Sequence, residues 1–223
     1  MKILTILATP SGDRGNTAIL LQEVLKGAKS LKAECETVVL KGNSIKPCTG
    51  CNQCHKRGYC KLKDDFEAIK EKLLEADGII IATPNYIFHV SGQLKVFLDR
   101  CASLLHCIAL EGKYGMSVIT SGGGDEFPIV QYINNFFVRA GVTPVDAIWA
   151  EMGTTKDGHL DEKNKELAFL AGKNLAEAIK NKKRIAMVEK IKESHLKRMV
   201  DLMNYYKDEW PYEYNYFREH NRL

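Results

Sequence analysis

The sequence predicts a doubly wound α/β domain, with five parallel strands and helices on both faces of the sheet. Short apolar runs alternate with amphipathic helical segments over residues 1–180, and each run is short and predominantly apolar, as is typical of strands in a buried parallel sheet. The length of 223 residues, of which 45% are hydrophobic, suits one compact domain with an extension better than two full domains. In such sheets ligands bind beyond the carboxyl ends of the strands, so the loops at that edge are the first places to search.

The elements follow one another in a β-α-β rhythm, which implies a parallel sheet. The first is a strand at Lys2 to Ala8, because this apolar run ends in a polar turn, and the second is a helix at Asn16 to Leu31, where apolar residues recur with helical spacing. The same signals predict strands at Cys35 to Leu40, Gly78 to Thr83, Tyr114 to Thr120 and Val142 to Ala150. They predict helices at Asp64 to Ala76, with an aspartate cap, and at Gly92 to Leu105, Phe127 to Ala140 and Asp161 to Lys180.

A C-terminal extension, residues 181–223, departs from this rhythm, and Lys180 to Arg184 is the predicted hinge before it. The extension has one helical apolar stripe and then many aromatic residues: Val188, Ile191, His195, Met199, Leu202, followed by Tyr205, Tyr206, Trp210, Tyr212, Tyr214, Tyr216 and Phe217. Because a large exposed aromatic surface is an aggregation hazard, we expect this tail to pack on the domain or on a neighbouring subunit. The alternative is that its aromatic residues cover the ligand pocket.

Composition and charge exclude several function classes. The formal net charge is a modest +4, and the basic residues of 180–184 are followed by acidic ones, so we do not expect nucleic-acid binding. No apolar run reaches the roughly 18 residues of a membrane span, and Met1-Lys2 leads directly into a strand rather than a signal peptide, so we expect a cytoplasmic protein. No Ser–His–Asp pattern is evident, and Asp64-Asp65 fits a helix cap better than a catalytic pair, so hydrolysis is not supported.

Three loops that follow strands together describe a mononucleotide site. Residues 9–17, Thr-Pro-Ser-Gly-Asp-Arg-Gly-Asn-Thr, place hydroxyl and N–H groups at a helix N-terminus, where a phosphate is favoured. They lack the P-loop lysine and the dinucleotide glycine spacing, which argues against ATP and against NAD bound in the Rossmann manner. Residues 83–89 supply an aromatic ring, and residues 121–124, Ser-Gly-Gly-Gly, let a flat ligand approach the backbone. Each loop alone also fits an ordinary turn, but together they predict FMN.

The sequence resembles the NADPH-dependent FMN reductase group of flavodoxin-like proteins over roughly residues 1–180, although Ala8-Thr9 replaces the usual Gly-Ser. The most specific stretches are Ala82-Thr-Pro-Asn-Tyr86, Ser91-Gly-Gln-Leu-Lys95 and Phe97-Leu-Asp-Arg100. The resemblance implies that FMN phosphate is held by Thr9, Ser11, Arg14, Asn16 and Thr17. It implies that the isoalloxazine ring is contacted by Pro84, Asn85, Tyr86, Ile87, Ser121, Gly122 and Gly123. Lys95, Asp99 and Arg100 are expected to be structural or to lie at a dimer interface.

Four closely spaced cysteines are the sharpest local signal. Their spacing is Cys48-x2-Cys51-x2-Cys54-x5-Cys60, within a loop of residues 45–62. Three thiolates at intervals of three residues, with a fourth from a short loop, can ligate one 4Fe-4S cluster, whereas structural zinc sites usually pair two cysteine knuckles across a longer spacer. Zinc, reduced thiols and a disulfide remain the alternatives.

The motif departs from the bacterial ferredoxin run, because its last spacing is longer and a proline precedes the first cysteine. It resembles instead the motif of the iron–sulfur flavoprotein family. That resemblance implies a homodimer or homotetramer in which single electrons pass between the cluster and FMN, and it places the motif beside the flavin site.

The other thiols and the loop histidines are expected to have no chemical role. Cys35, Cys101 and Cys107 lie in predicted regular elements, where most cysteines are inert core thiols. His55 and His89 lie in the candidate functional loops, and we expect both side chains to be exposed to solvent.

Taken together, these features predict an FMN-dependent oxidoreductase in which the flavin carries the chemistry and no side chain acts as acid or base. The expected electron donor is NAD(P)H or a reduced ferredoxin-like protein. One alternative is a cluster-free NAD(P)H-dependent FMN or quinone reductase. The other is a redox-sensing or electron-carrier binding module, in which the flavin or the thiols only shift a partner interface.

Overall fold

A five-stranded parallel sheet forms the centre of the molecule in a computed structural model that describes residues 1–42, 44–153 and 160–223. Its strands are β1 (Lys2–Leu7), β2 (Glu34–Val39), β3 (Gly78–Pro84), β4 (Tyr114–Ser121) and β5 (Thr143–Glu151). They lie in the order β2-β1-β3-β4-β5, which is the flavodoxin-like order and confirms the predicted doubly wound sheet. The chain adds β2 on one side of β1 and β3 on the other, so the loops that follow β1 and β3 diverge and leave a crevice between them.

The helices are α1 (Asn16–Ser30), α2 (Gln53–Arg57), α3 (Phe66–Glu75), α4 (Gly92–Arg100), α5 (Ala102–His106), α6 (Glu126–Ala140), α7 (Glu162–Lys180), α8 (Ala186–Tyr205) and α9 (Pro211–Glu219). The single helix predicted at Gly92 to Leu105 is therefore wrong, because the chain breaks into α4 and α5 at Cys101. There the N–H of Cys101 donates to the carbonyl of Leu98, a three-residue spacing that tightens and ends the helix. The short α2, inside the cysteine motif, was not predicted.

Two hydrophobic layers cover the sheet. On one face, α3, α4 and α6 pack over β-strand side chains such as Ile79 and Ile81. On the other face, α1 and α7 pack over neighbours such as Ile80 and Met116. Because β3 and β4 are buried along their whole length, both strands have neighbours on both faces, which explains why both are predominantly apolar.

The two helices of the second layer approach closely at a pair of glycines. A Cβ atom at Gly27 of α1 would lie 1.9 Å from the carbonyl oxygen of Phe169, and one at Gly172 of α7 would lie 1.9 Å from the carbonyl oxygen of Val24. Each helix therefore needs a residue without a side chain where it crosses the other, since backbone atoms occupy the space.

The C-terminal tail packs on the domain, as predicted. Phe217 of α9 is fully buried, and it forms one hydrophobic cluster with Met199 and Met203 of α8 and with Ile108 beside α5. Arg222 donates to the carbonyl of Cys107 at 2.6 Å and fixes the end of the tail. None of the helices in the described residues is long and apolar enough to cross a membrane.

Candidate functional site

A cleft of about 440 Å³ opens at the carboxyl edge of the sheet, at the crevice between β1 and β3. Loops that follow β1, β3, β4 and β5 line it, and its volume lies in the range of small-molecule sites. The lining residues are Thr9, Ser11, Arg14, Gly15, Asn16, Thr17, Pro84, Asn85, Tyr86, Thr120, Ser121, Gly122, Met152 and Gly153.

The structure brings ten of the twelve predicted flavin-site residues to this cleft. The two that do not line it are Ile87, which is 90% exposed, and Gly123. Sequence reasoning missed Gly15, Thr120 and the pair Met152-Gly153. That pair directly follows β5. Ligands bind beyond the carboxyl ends of the strands, so a search of the loop after every strand would have found it. No tail residue is among those that line the cleft, so the alternative in which tail aromatics cover the pocket is wrong for the described residues.

The first loop presents a helix N-terminus to the cleft. After a 3₁₀ turn at Gly12–Arg14, Gly15 adopts an extended conformation and α1 begins at Asn16. The first N–H groups of a helix have no partner within it, and together with the Arg14 side chain they favour an anion. Thr17 is buried, and its hydroxyl lies 2.6 Å from the hydroxyl of Thr120, which joins this loop to the end of β4.

The second loop contains a polar atom that fits a flavin. The Asn85 N–H donates to the carbonyl of Thr120 at 2.7 Å, and its side-chain amide donates to the carbonyl of Gly124 at 3.1 Å. The Asn85 Oδ1 atom is buried and has no hydrogen-bond partner among the described residues. A buried unpaired acceptor is costly, and a ring N–H donor such as that of an isoalloxazine would satisfy it. The residues present therefore fit FMN.

The tip of the second loop is a strained turn. Tyr86 and His89 pair as an isolated bridge, and between them Ile87 has a φ of 50° and Phe88 a φ of 63°. Two successive positive φ values define a turn that strongly favours Asn-Gly, so a β-branched residue and an aromatic one are unfavourable there. His89 is exposed, as predicted, and its ring meets Tyr132 edge-on at 4.5 Å.

The cysteine loop does not lie beside this cleft in the described residues, contrary to our expectation. Residues 40–42, 44 and 45 share a groove with the first turns of α4, at Gly92, Gln93 and Val96. The carbonyl of Lys46 then accepts a hydrogen bond at 2.8 Å from Arg100, at the other end of α4. The chain thus follows α4 over about 12 Å of helix and carries the cysteines away from the carboxyl edge.

A buried ion pair closes the base of the cysteine loop. The Arg100 guanidinium donates to both carboxylate oxygens of Asp64, at 2.8 and 3.2 Å, and the side chains of both residues are almost fully buried. Asp64 also accepts the N–H groups of Lys46, before the motif, and of Phe66, after it. The N-cap of α3 is Asp65, whose side chain makes no capping hydrogen bond, so it is Asp64 that accepts an N–H of the first turn, and Arg100 is structural. Lys95 and Asp99, by contrast, form an exposed pair on the surface of α4.

The four cysteines of the motif have free thiols, with Cys48 exposed and the other three partly buried. The Gly50 N–H lies 3.5 Å from the Cys48 sulfur, and a hydrogen bond from the backbone of Gln53 is the chief cause that lowers the pKa of Cys51. An N–H donor beside a thiol favours its thiolate form, which is the form that ligates a metal. The donor set therefore fits an iron–sulfur cluster.

The geometry of these thiols does not fit one zinc ion. In a mononuclear zinc site the sulfur atoms lie roughly 3.8 Å apart, since each Zn–S bond is about 2.3 Å long. Within the described part of the chain, the group of potential ligands whose donor atoms all lie within 4.8 Å of one another is His55, His106 and Glu213, and it contains no cysteine.

His55 is buried, so its predicted exposure was wrong. It lies on α2, and its Nδ1 atom is 2.7 Å from Oε1 of Glu213, whose other oxygen is 3.0 Å from Nδ1 of His106. Burial alone would lower the pKa of His55, but hydrogen bonds to Cys54 and Glu213 raise it to about 10. Sequence reasoning missed this arrangement because 158 residues separate His55 from Glu213.

The thiols outside the motif differ in burial. Cys101 and Cys107 are buried, which raises the pKa of both, so they are core thiols, as predicted. Cys35 is only half-buried on β2, although burial raises its pKa too.

Comparison with known proteins finds related sequences along most of this chain. Residues 1–155 match the family model described as NADPH-dependent FMN reductase. An iron–sulfur flavoprotein of Archaeoglobus fulgidus is 30% identical, and the match covers 98% of each chain. Another iron–sulfur flavoprotein, from Methanocaldococcus jannaschii, is 34% identical over 81% of this chain and 98% of its own.

A solved structure supports the fold. RosB, crystallised with bound 8-demethyl-8-formylriboflavin-5'-phosphate, has a TM-score of 0.67 at 17% identity, over 81% of this chain and 79% of that one. At this low identity the likeness concerns the fold alone, and it agrees with the strand order described above.

Proposed function

Because this chain belongs to the NADPH-dependent FMN reductase family, and within it to the iron–sulfur flavoproteins, we propose that it couples FMN to a 4Fe-4S cluster. That it is an FMN-binding oxidoreductase follows from the family itself. The observation that carries the cluster is the set of free thiols Cys48, Cys51, Cys54 and Cys60, on a loop whose base is closed by a buried ion pair. We take these four as the cluster ligands.

The residues of the carboxyl-edge cleft would bind and orient the flavin. The α1 N-terminus, Arg14 and the hydroxyls of Thr9, Ser11 and Thr17 would hold the phosphate, since they bring N–H, hydroxyl and positive groups to one place. Asn85 would accept a hydrogen bond from the ring, and the backbone of residues 121–122 would lie against it. Bound FMN supplies the electron chemistry, exchanging electrons in pairs with a nicotinamide and singly with a cluster.

Two further parts of the proposal concern partners. The family name favours NADPH or NADH as the electron donor, with a reduced ferredoxin-like protein as the alternative. A homodimer or homotetramer is favoured by the exposed apolar side chains of Ile87, Phe88 and Phe127. Reduction assays with each donor, and sedimentation of the anaerobic protein, test these two parts.

The decisive experiment is a visible spectrum, with iron and sulfide analysis, of protein purified without oxygen. We expect flavin bands, a broad iron–sulfur absorption, and about four iron and four sulfide per chain. A Cys51→Ala variant should lose the iron and sulfide but keep FMN, because Cys51 is not among the residues that line the cleft. Cys35→Ala, a thiol outside the motif, is the matched control and should keep both.

Each contrary result selects a different function. Bound flavin without sulfide in the anaerobic wild-type protein would favour the cluster-free reductase. Flavin and cluster together, but no turnover with a pyridine nucleotide or a ferredoxin, would favour a redox-sensing or electron-carrier module.

The contact between Gly153 and Gly122 gives a second prediction for the flavin site. A Cβ atom at Gly153 would lie 2.0 Å from the carbonyl oxygen of Gly122, so Gly153→Ala must displace the loop that follows β4. Losing one hydrogen bond to the ring costs about 1.5 kcal/mol, so we expect the Kd for FMN to rise about tenfold. Fluorescence titration of the apoprotein measures this. Gly42→Ala, where nothing lies within 4 Å, is the control, and equal Kd values in the two variants would contradict the assignment.

A further inference from the structure

Glu213, on the tail helix α9, is a fully buried acid outside the flavin cleft. Each of its carboxylate oxygens meets a different histidine, His55 on α2 and His106 on α5. A buried carboxylate is strongly unfavourable unless it is paired and hydrogen-bonded. Burial alone would raise the pKa of Glu213, but the hydrogen bonds to His106 and His55 keep it below its usual value. The acid therefore forms a charged bridge between α2 and α5.

The rings of this group show that it is a bridge and not a metal centre. His55 and His106 stack at 4.9 Å and 21° from parallel, and Trp210 stacks on both, at 4.6 and 5.2 Å. A metal ion bound by two imidazoles must lie in the planes of both rings. Planes so nearly parallel do not meet within bonding distance of the two Nδ1 atoms.

The bridge fixes a segment that has little stability of its own. The helix α2 has five residues, and the two residues that flank it, Asn52 and Gly58, both adopt the left-handed conformation. An isolated helix of this length does not form in water, so contacts from outside must determine its position. Besides Glu213 and Trp210, the tail supplies Tyr212, whose ring fills the space beside Gly58, where a Cβ atom would lie 2.3 Å from it.

The position of α2 sets the position of one thiol of the cysteine motif. Cys54 lies on α2 directly before His55, and its side chain is within hydrogen-bonding reach of the His55 ring. The tail itself is anchored on the domain, through the buried Phe217 and through Lys192, which donates to the hydroxyl of Thr143 at 2.7 Å. Glu213 therefore connects Cys54 to a fixed point on the domain.

We propose that Glu213 is a positioning residue for the cysteine motif: by bridging His55 and His106 it holds α2, and so the Cys54 sulfur, where the cluster requires it. This inference rests on the cluster proposed above. The base of the loop is held independently by Asp64 and Arg100, so the tail controls the middle of the motif.

The test is the rate at which the cluster is lost from Glu213→Gln, a change that keeps the side-chain volume but removes the charge. Protein purified without oxygen is mixed with an iron chelator, and bleaching of the iron–sulfur absorption is followed. Because residues that orient metal ligands typically contribute 10- to 100-fold to metal retention, we expect loss at least about tenfold faster than in the wild type. FMN per chain should stay unchanged, and the electron paramagnetic resonance spectrum of the reduced cluster should shift.

Two further variants make the result decisive. Glu219→Gln, an exposed acid on the same helix, should lose iron at the wild-type rate. His106→Gln removes the other side of the bridge at a residue distant in sequence from the four motif cysteines, and it should reproduce the faster loss even if Glu213→Gln does not fold. A Glu213→Gln or His106→Gln protein that loses iron at the wild-type rate and has the wild-type spectrum would overturn this inference but not the proposed cluster. A wild-type protein that contains no iron would overturn the cluster, and this inference with it.

Discussion

Replacing Asp64 with asparagine should lower the free energy of unfolding by about 3 kcal/mol, as expected when one partner of a buried ion pair is removed. The variant keeps the shape of the side chain but leaves the Arg100 guanidinium buried without its counter-charge. Chemical denaturation at neutral pH measures the change. Asp99→Asn, which breaks the exposed pair with Lys95 on the same helix, should cost under about 0.5 kcal/mol. Equal losses in the two variants would show that the buried pair is not formed.

The same variant should change the response to acid. Burial alone would raise the pKa of Asp64, but the hydrogen bonds from Arg100 and from two backbone N–H groups hold it below its usual value. A carboxyl whose pKa is lower in the folded state stabilises the protein above its unfolded pKa, and this contribution is lost as the pH falls through the folded pKa. The wild-type protein should therefore lose stability below about pH 4. Unfolding curves of Asp64→Asn should lack this part of the acid dependence.

Adding one methyl group at Gly172 should lower the stability of the fold almost as much as Asp64→Asn does. In Gly172→Ala the new Cβ atom meets the carbonyl oxygen of Val24, and backbone cannot move aside as a flexible side chain can. The helices α1 and α7 must separate, which costs about 2–3 kcal/mol as overpacking. The midpoint of thermal unfolding should fall accordingly. Gly92→Ala, at the start of α4 with nothing within 4 Å, should change stability by less than about 0.5 kcal/mol. A Gly172→Ala protein as stable as this control would contradict the close crossing.

The positions of the strands along the chain could be predicted because the sequence signal for a strand is local. Runs such as Gly78–Pro84 are buried on both faces, so nearly every position is apolar, and the loops after such strands are fixed by topology. The break between α4 and α5 could not be predicted in this way. The helical period continues through Cys101, and the break depends on a local change in hydrogen bonding that no turn residue announces.

The candidate site was predictable where it follows strands, and not where it depends on distant contacts. The loops after β1, β3 and β4 that line the cleft were predicted from strand ends, whereas nothing in the sequence indicated the strained turn that leaves Ile87 90% exposed. The burial of His55 depends on Glu213, and the path of the cysteine loop depends on Arg100. Nothing near either residue in the sequence indicates those partners.

The bridge between His55 and Glu213 has a consequence for how the protein is made. The acid is synthesised 158 residues after the histidine, which at roughly 5–20 residues per second takes on the order of 8–30 s on the ribosome. During that interval the cysteines have already been translated, but α2 lacks the contacts that hold it. Assembly of the proposed cluster is therefore expected to follow translation of α9, and the nascent thiols are open to oxidation until then.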